Sequence, residues 1–122
     1  MDKGENPNAR DADGKTPLMQ AAAYNQNPQV ITVLLGAGAD IEARDKFNSM
    51  TPLMYAAWVN KNPEMVTVLL NAGANAKARS LVGKTALDFA LYNLKLVGTG
   101  VYKDLQRASL EAGPIRRDEQ LL

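Results

Sequence analysis

The four residues Thr16-Pro17-Leu18-Met19 occur again, letter for letter, at Thr51-Pro52-Leu53-Met54. A weaker copy follows at Thr85-Ala86-Leu87-Asp88, so the spacings between copies are 35 and 34 residues. Residues 16–40 and 51–75 share 16 identities in 25 positions. Self-similarity at a period of about 20 to 50 residues is the signature of a stacked repeat protein, in which each unit buries its apolar face against its neighbours. The chain is therefore predicted to form a linear array of similar units.

Composition limits the functions that such an array can have. The chain has 122 residues, 46% hydrophobic content and a net charge of +1, which is typical of an ordinary globular domain. It contains no cysteine and no histidine, so disulfides, thiolate nucleophiles, Ser-His-Asp relays and the usual zinc ligand sets are not expected. The balanced charge predicts no nucleic-acid partner, and the lack of an apolar run of about 18 residues predicts no membrane partner.

The first residues indicate where the protein is expected to act. They lack the apolar stretch of a signal peptide, so a cytoplasmic location is predicted. A periplasmic location is the alternative if an N-terminal signal has been removed. The segment before residue 16 matches the trailing part of a unit whose helices are missing.

The opening residues of each unit predict two short helices. Thr16 can cap a helix with its hydroxyl, and Pro17 takes the first helical position, where a missing N–H costs nothing. The helix is expected to end near Asn25 in a left-handed conformation, which asparagine tolerates. The pair Asn27-Pro28 is then expected to start a second helix. The same residues recur 35 positions later, at Thr51, Pro52, Asn60, Asn62 and Pro63.

The second helix of each unit is the apolar one. Its apolar residues follow the i, i+3, i+4 spacing of a buried stripe; they are Val30, Ile31, Val33, Leu34 and Leu35, and Met65, Val66, Val68, Leu69 and Leu70. Gly38 and Gly73 are predicted to be left-handed C-terminal caps. The polar segments that follow contain turn residues and are too short for another helix, so each is expected to form an extended, hairpin-like finger.

Helix, turn, helix and projecting finger, with Thr-Pro-Leu at the first helix and Gly-Ala-Asp after the second, together resemble the ankyrin repeat family. The resemblance covers nearly all of residues 6–113. It implies an all-α ankyrin-repeat solenoid of stacked helix-turn-helix units with projecting β-hairpin-like fingers. The expected parts are a leading finger of a truncated repeat (1–15), repeat 1 (16–50), repeat 2 (51–84), a C-terminal capping repeat (85–113) and a tail (114–122).

Three positions depart from the family's pattern. Met19 and Met54 stand where the usual motif has histidine, and Asp88 takes this position in the third unit. The histidine hydrogen-bond network that the family carries along its repeats is therefore absent or replaced. The aspartate fits a capping substitution in the last helix pair.

The two ends of the array differ. The last unit has a longer loop, Tyr92 to Gly100, and Gln106 and Ser109 replace apolar residues of the earlier stripes, which suits an outer face that meets water. The first unit keeps Val30, Ile31 and Val33 with nothing before them to cover them. Two explanations stay open: a shortened chain that tolerates an exposed end, or two copies that stack end to end.

Residues that could carry chemistry have simpler explanations. Gly14-Lys15-Thr16 resembles the end of a phosphate-binding loop, but the additional glycine that such a loop needs is Ala9 here. Most aspartates fall at turns, where bonds to nearby backbone N–H groups explain them. We therefore expect no enzyme, no catalytic residues, no cofactor and no metal site.

Surface recognition is the function that the resemblance implies. In the ankyrin family the partner face is the concave groove between the finger tips and the first helices. Carried over position by position, the expected partner-binding residues are Lys15, Tyr24, Lys46, Phe47, Met50, Trp58, Val59, Leu81, Val82 and Tyr92. For Trp58, packing between first helices and partner contact both stay open.

The expected function is that of a non-catalytic module that binds another protein through this groove and the finger tips. The alternative is a structural or inhibitory subunit that self-associates, or stacks on a larger array, through its uncapped N-terminal repeat.

Overall fold

A computed structural model of the protein describes residues 6–111. The predicted tail and residues 1–5 lie outside this range. The helices are α1 (Pro17–Tyr24), α2 (Gln29–Gly36), α3 (Pro52–Val59), α4 (Glu64–Asn71), α5 (Ala86–Ala90) and α6 (Gly100–Glu111). The first helices of the pairs, α1, α3 and α5, pack side by side, and α2, α4 and α6 form a second layer against them. Residues 6–111 contain no β-strand, so the all-α solenoid is confirmed.

The Thr-Pro helix starts are confirmed. The Thr16 hydroxyl oxygen accepts the Met19 N–H at 3.3 Å, and Pro17 takes the first turn. The Thr16 N–H donates in return to the Met19 sulfur at 3.5 Å, so a thioether completes the reciprocal cap. In the third pair, the Thr85 N–H donates to the Asp88 carboxylate at 2.9 Å, which confirms the capping role expected of Asp88. The methionines thus replace the family's histidine by supplying a sulfur acceptor.

The end of each first helix differs from the prediction in one respect. Helices α1 and α3 do end before Asn25 and Asn60, but these residues have φ of −79° and −76°, so the left-handed conformation is wrong. The cause is the asparagine side chain, whose Oδ1 accepts the N–H two residues later, at 2.8 Å for both Asn25 to Asn27 and Asn60 to Asn62. This Asx turn is compatible with an extended backbone.

Side-chain amides also join neighbouring helix pairs. The Asn60 side chain is fully buried, and its Nδ2 donates to the main-chain carbonyls of Ala22 at 2.8 Å and Asn25 at 2.9 Å. Asn93 repeats the arrangement one unit later, where its Nδ2 donates to Ala57 and Asn60 carbonyls at 3.1 and 2.9 Å. Each of these asparagines therefore fixes the first helix of one pair on the preceding pair.

The second helices follow the predicted pattern with one correction. Asn27 and Asn62 cap them, each Oδ1 accepting the first helical N–H at 3.0 Å. Gly38 and Gly73 have φ of +101° and +98°, as expected for left-handed caps. The prediction that Ile31 lies uncovered is wrong: it is 0% exposed, because its side chain faces the core between the two helix layers. Val33 of the same helix is exposed.

The last pair is built differently from the other two. Helix α5 has only 5 residues, and residues 91–99 form a series of turns before α6 begins at Gly100. On α6, Gln106 is exposed and Ser109 is half-buried. These positions agree with the expected polar outer face at this end of the array.

Candidate functional site

Three fingers project from the helix layers and form one wall of a groove. They comprise residues 6–15, 39–50 and 74–84, and are called the first, second and third fingers. A main-chain hydrogen bond closes the base of each finger. The Asp11 N–H donates to the Lys15 carbonyl at 3.0 Å, the Asp45 N–H to the Met50 carbonyl at 3.1 Å, and the Ser80 N–H to the Lys84 carbonyl at 2.8 Å. The other wall is the exposed side of α1, α3 and α5.

Arginines hold the fingers at a fixed spacing. The Arg10 guanidinium donates to the Gly14 carbonyl in its own finger at 2.7 Å and to the Arg44 carbonyl in the second finger at 2.7 Å. Arg44 repeats this with the carbonyl of Arg79 in the third finger at 2.6 Å. A main-chain hydrogen bond also joins the first and second fingers, since the Lys46 N–H donates to the Asp13 carbonyl at 3.3 Å. Hydrogen bonds therefore join the three fingers along this wall of the groove.

A cavity of about 440 Å³ lies between the first two fingers and helices α1 and α3. It brings together five of the predicted residues: Lys15, Tyr24, Phe47, Trp58 and Val59. Asp13, which the repeat register also places at the tip of the first finger, lines the cavity as well. Sequence reasoning missed three further lining residues: Asp45, Asn48 and Tyr55. Tyr55 could have been found from the sequence, because it lies three positions before Trp58 and so shares a helix face with it.

The floor of this cavity is a buried polar pair. The Tyr55 hydroxyl donates to the Asp45 carboxylate, which also accepts the Asn48 N–H at 2.7 Å. Burial, and secondly the bond to Asp45, raise the pKa of Tyr55 above its usual value near 10, so its phenol remains a donor in alkaline as well as in neutral solution. The Lys15 ammonium lies 5.4 Å from the centre of the Tyr55 ring, within the range of a cation–π interaction.

A second cavity of about 150 Å³ lies between the second and third fingers. It contains four predicted residues, Met50, Trp58, Leu81 and Val82, together with Asn48, Ser80 and Phe89, which sequence reasoning missed. Trp58 and Asn48 line both cavities, so the two cavities are neighbours along the groove. The Trp58 ring packs on the Phe89 ring with centroids 5.6 Å apart, and the residue is still 41% exposed. Trp58 therefore packs between neighbouring first helices, and partner contact through its exposed part stays a prediction.

The placement of one predicted residue needs correction. Met50 was expected at an exposed finger tip, but it is only 2% exposed and forms the base of the second cavity. The equivalent position in the first finger is Lys15, which is half-buried, whereas a methionine has no charge that must be kept outside the core. Lys46 and Tyr92 are exposed but line neither cavity.

The glycine-lysine-threonine segment serves the fold. Gly14 has φ of +76° in the tip of the first finger, and the Thr16 hydroxyl is used by the helix cap. Within residues 6–111, no group of three or more acidic, cysteine or histidine side chains is arranged to hold a metal ion. No helix in the same range has the length and apolarity required to cross a bilayer.

Comparison with known families agrees with this architecture. The sequence profile of the ankyrin repeats, which represents three copies, matches residues 1–80 and again residues 21–98. The chain belongs to the ankyrin repeat family. A comparison with individually curated proteins gave no significant match.

Membership in the ankyrin repeat family indicates the general role of the repeats. Ankyrin repeats are generally modules for protein–protein interaction and are typically non-catalytic. The same fold carries many different ligands, so the residues of each groove decide which partner is bound.

Proposed function

We propose that this ankyrin repeat protein binds another protein, without catalysis, in the groove formed by the three fingers and the helices α1, α3 and α5. One observation carries the proposal: two neighbouring cavities share Trp58, and exposed apolar side chains surround them. Exposed apolar clusters of this kind are typical of binding surfaces, and tryptophan is among the residues that most often dominate binding energy. The division into units 16–50, 51–84 and 85–113 and a cytoplasmic location belong to the same proposal.

Replacement of Trp58 or Phe47 by alanine should abolish most partner binding. Each change removes an aromatic wall of the larger cavity, and loss of such a side chain costs a binding free energy of about 2 kcal/mol or more, which is over tenfold in affinity. The measurement is affinity capture from a lysate of the source organism, with captured proteins quantified by mass spectrometry. At least one protein should be retained by the wild type and depleted by both variants.

Leu94→Ala is the matched control, because Leu94 is an exposed leucine outside both cavities. This variant should capture the same protein as the wild type. Far-UV circular dichroism and urea unfolding check the fold of each variant, which matters for Trp58 because its ring packs on Phe89. Equal capture by all four proteins would refute groove binding.

A second candidate function, self-association, is favoured by the first helix pair. Its outer face is a shallow surface that includes Pro17, Ala21, Tyr24 and Val30. Asn25 lies on this face and forms the same kind of Asx turn that Asn60 forms in the next unit. The Asn60 amide joins its own helix pair to the preceding pair. The first helix pair thus presents apolar side chains and an asparagine equivalent to Asn60 on a face that no other helix pair of residues 6–111 covers.

Light scattering over a concentration series tests self-association. If the face mediates it, the mass should rise with concentration, and Val30→Glu should abolish the rise by placing a charge in an apolar contact. Phe47→Ala, which changes the groove only, should leave the mass unchanged. A wild-type protein that stays monomeric at every concentration would rule out this function.

A further inference from the structure

The smaller cavity indicates what kind of partner the groove accepts; this inference rests on the proposed function. Met50 and Phe89 form its base and are both buried, whereas Leu81 and Val82 of the third finger form an exposed rim. The Trp58 ring supplies a further wall. An apolar base with a projecting apolar rim is the form of a pocket that receives a single anchoring side chain.

The main-chain polar groups beside this cavity are used by the fingers themselves. The Ser80 N–H donates to the Lys84 carbonyl at 2.8 Å, and the Ser80 hydroxyl accepts the Lys84 N–H at 3.3 Å. The Asn48 carbonyl accepts the Leu81 N–H at 2.9 Å, and the Asn48 N–H donates to Asp45. Five of the seven lining residues are apolar, so a polar group placed in the cavity would lose its water for few partners, which favours an apolar occupant.

The volume of the cavity limits the occupant to one side chain. It measures about 150 Å³. An apolar protein cavity of about 150 Å³ is known to hold one benzene molecule. A leucine-sized side chain fits this space, whereas a helix or a peptide backbone does not. The rest of the partner must then lie outside, along the finger tips.

The charges around the cavity indicate the residues that flank the anchor. The third finger carries Lys77, Arg79 and Lys84 and no acidic residue, whereas the first two fingers carry both signs. Lys77 and Arg79 line a separate cavity together with Asp88. Lys84 lies next to the smaller cavity, since its main-chain N–H donates to the Ser80 hydroxyl, and Lys46 of the second finger is exposed. Asp45 is buried and bonded to Tyr55, so it is not an exposed charge. The accessible charge on this side of the groove is positive, which is complementary to an acidic partner.

We infer that the partner is an acidic, extended protein segment that inserts one leucine-sized apolar side chain between the second and third fingers. The anchor contacts Met50, Trp58 and Phe89, and the rim of Leu81 and Val82 excludes water around it. Carboxylates next to the anchor pair with Lys46 and Lys84. The larger cavity on the other side of Trp58 then receives the neighbouring residues of the same segment.

Selection from a random twelve-residue peptide library displayed on phage tests this inference without knowledge of the natural partner. The immobilised wild-type chain should enrich peptides that combine one leucine, isoleucine or methionine with aspartate or glutamate close to it. Synthetic versions of these peptides should lose about tenfold or more in affinity on the variant Leu81→Ser/Val82→Ser, and none on Leu94→Ser. Raising the salt from about 0.15 M to about 1 M shortens the screening length from about 8 Å to about 3 Å. This change should lower the affinity of the peptides for the wild-type chain.

The outcomes separate this inference from the proposed function. If the enriched peptides depend on Trp58 and Phe47 but lack an apolar anchor, or bind the Leu81→Ser/Val82→Ser variant equally well, the groove binds proteins and the anchor inference is wrong. An anchor without acidic neighbours, with affinity independent of salt, also overturns it. If no peptide is enriched in a Trp58-dependent manner, the inference of an extended segment is wrong, and the capture experiment with Trp58→Ala and Phe47→Ala still decides the proposed function.

Discussion

Replacement of Asn60 by alanine is expected to lower the free energy of unfolding by about 3 kcal/mol, the first of two large effects on stability. The variant leaves the carbonyls of Ala22 and Asn25 and the Asn62 N–H without the partners they have in the wild type. Each buried polar group left unpaired costs about 1–3 kcal/mol, and water can reach only part of this interface. A domain of this size has about 5–15 kcal/mol of stability in total, so the loss is a large fraction.

Asn25→Ala is the matched control for this prediction. Asn25 begins the same Asn-x-Asn-Pro sequence and forms the same Asx turn. It is exposed, however, and within residues 6–111 its side chain makes one hydrogen bond, from the Asn27 N–H to its Oδ1. We expect this variant to lose about 1 kcal/mol or less. Urea unfolding followed by far-UV circular dichroism measures both. Similar losses for the two variants would show that the bonds between helix pairs contribute little.

Replacement of Gly14 by alanine is expected to cost about 3 kcal/mol as well, for a steric reason. The added Cβ would lie 2.5 Å from the Lys46 Cβ and 2.8 Å from the Lys46 main-chain nitrogen, in a finger where Gly14 has φ of +76°. The left-handed conformation costs a non-glycine residue about 1–2 kcal/mol. The clash adds about 1–3 kcal/mol, since the first and second fingers must move apart.

Gly83→Ala separates strain from clash. Gly83 has nearly the same φ, +82°, at the equivalent place in the third finger, but an added Cβ would meet no atom within 4 Å. It should therefore lose only about 1–2 kcal/mol, the cost of the left-handed conformation. Thermal and urea unfolding of both variants provide the comparison. Equal destabilisation would mean that the first two fingers are not in close contact.

Gly14→Ala should also weaken binding in the larger cavity, because both fingers line it.

The parts of the fold that depend on neighbouring residues along the chain could be predicted from the sequence. The cap at Thr16, the substitution at Asp88 and the left-handed Gly38 each depend on a few consecutive residues, and all three are observed. The predicted conformation of Asn60 was wrong because its side chain forms the Asx turn to Asn62, as Asn25 does to Asn27. The bonds from the Asn60 amide to carbonyls 35 and 38 residues away could not be predicted, because no local pattern contains those acceptors.

The groove was predicted less completely for a related reason. Exposed residues such as Phe47 and Leu81 could be placed from the repeat register, because residues at finger tips are exposed whatever their side chain. Met50 could not, since whether a side chain at that position turns outward depends on its own polarity and on the apolar space beside Phe89. The pair of Tyr55 and Asp45 is 10 positions apart in the chain and meets only when the second finger folds back on α3.

The methionine caps have a consequence for the conditions under which the protein can work. A histidine at those positions would change its charge near pH 6.5, whereas the thioethers of Met19 and Met54 do not titrate. The chain has no histidine and no cysteine at all, so no side chain with an ordinary pKa changes its charge between about pH 5 and pH 8. The caps at Met19 and Met54 therefore carry the same charge at pH values where a histidine cap would gain a proton.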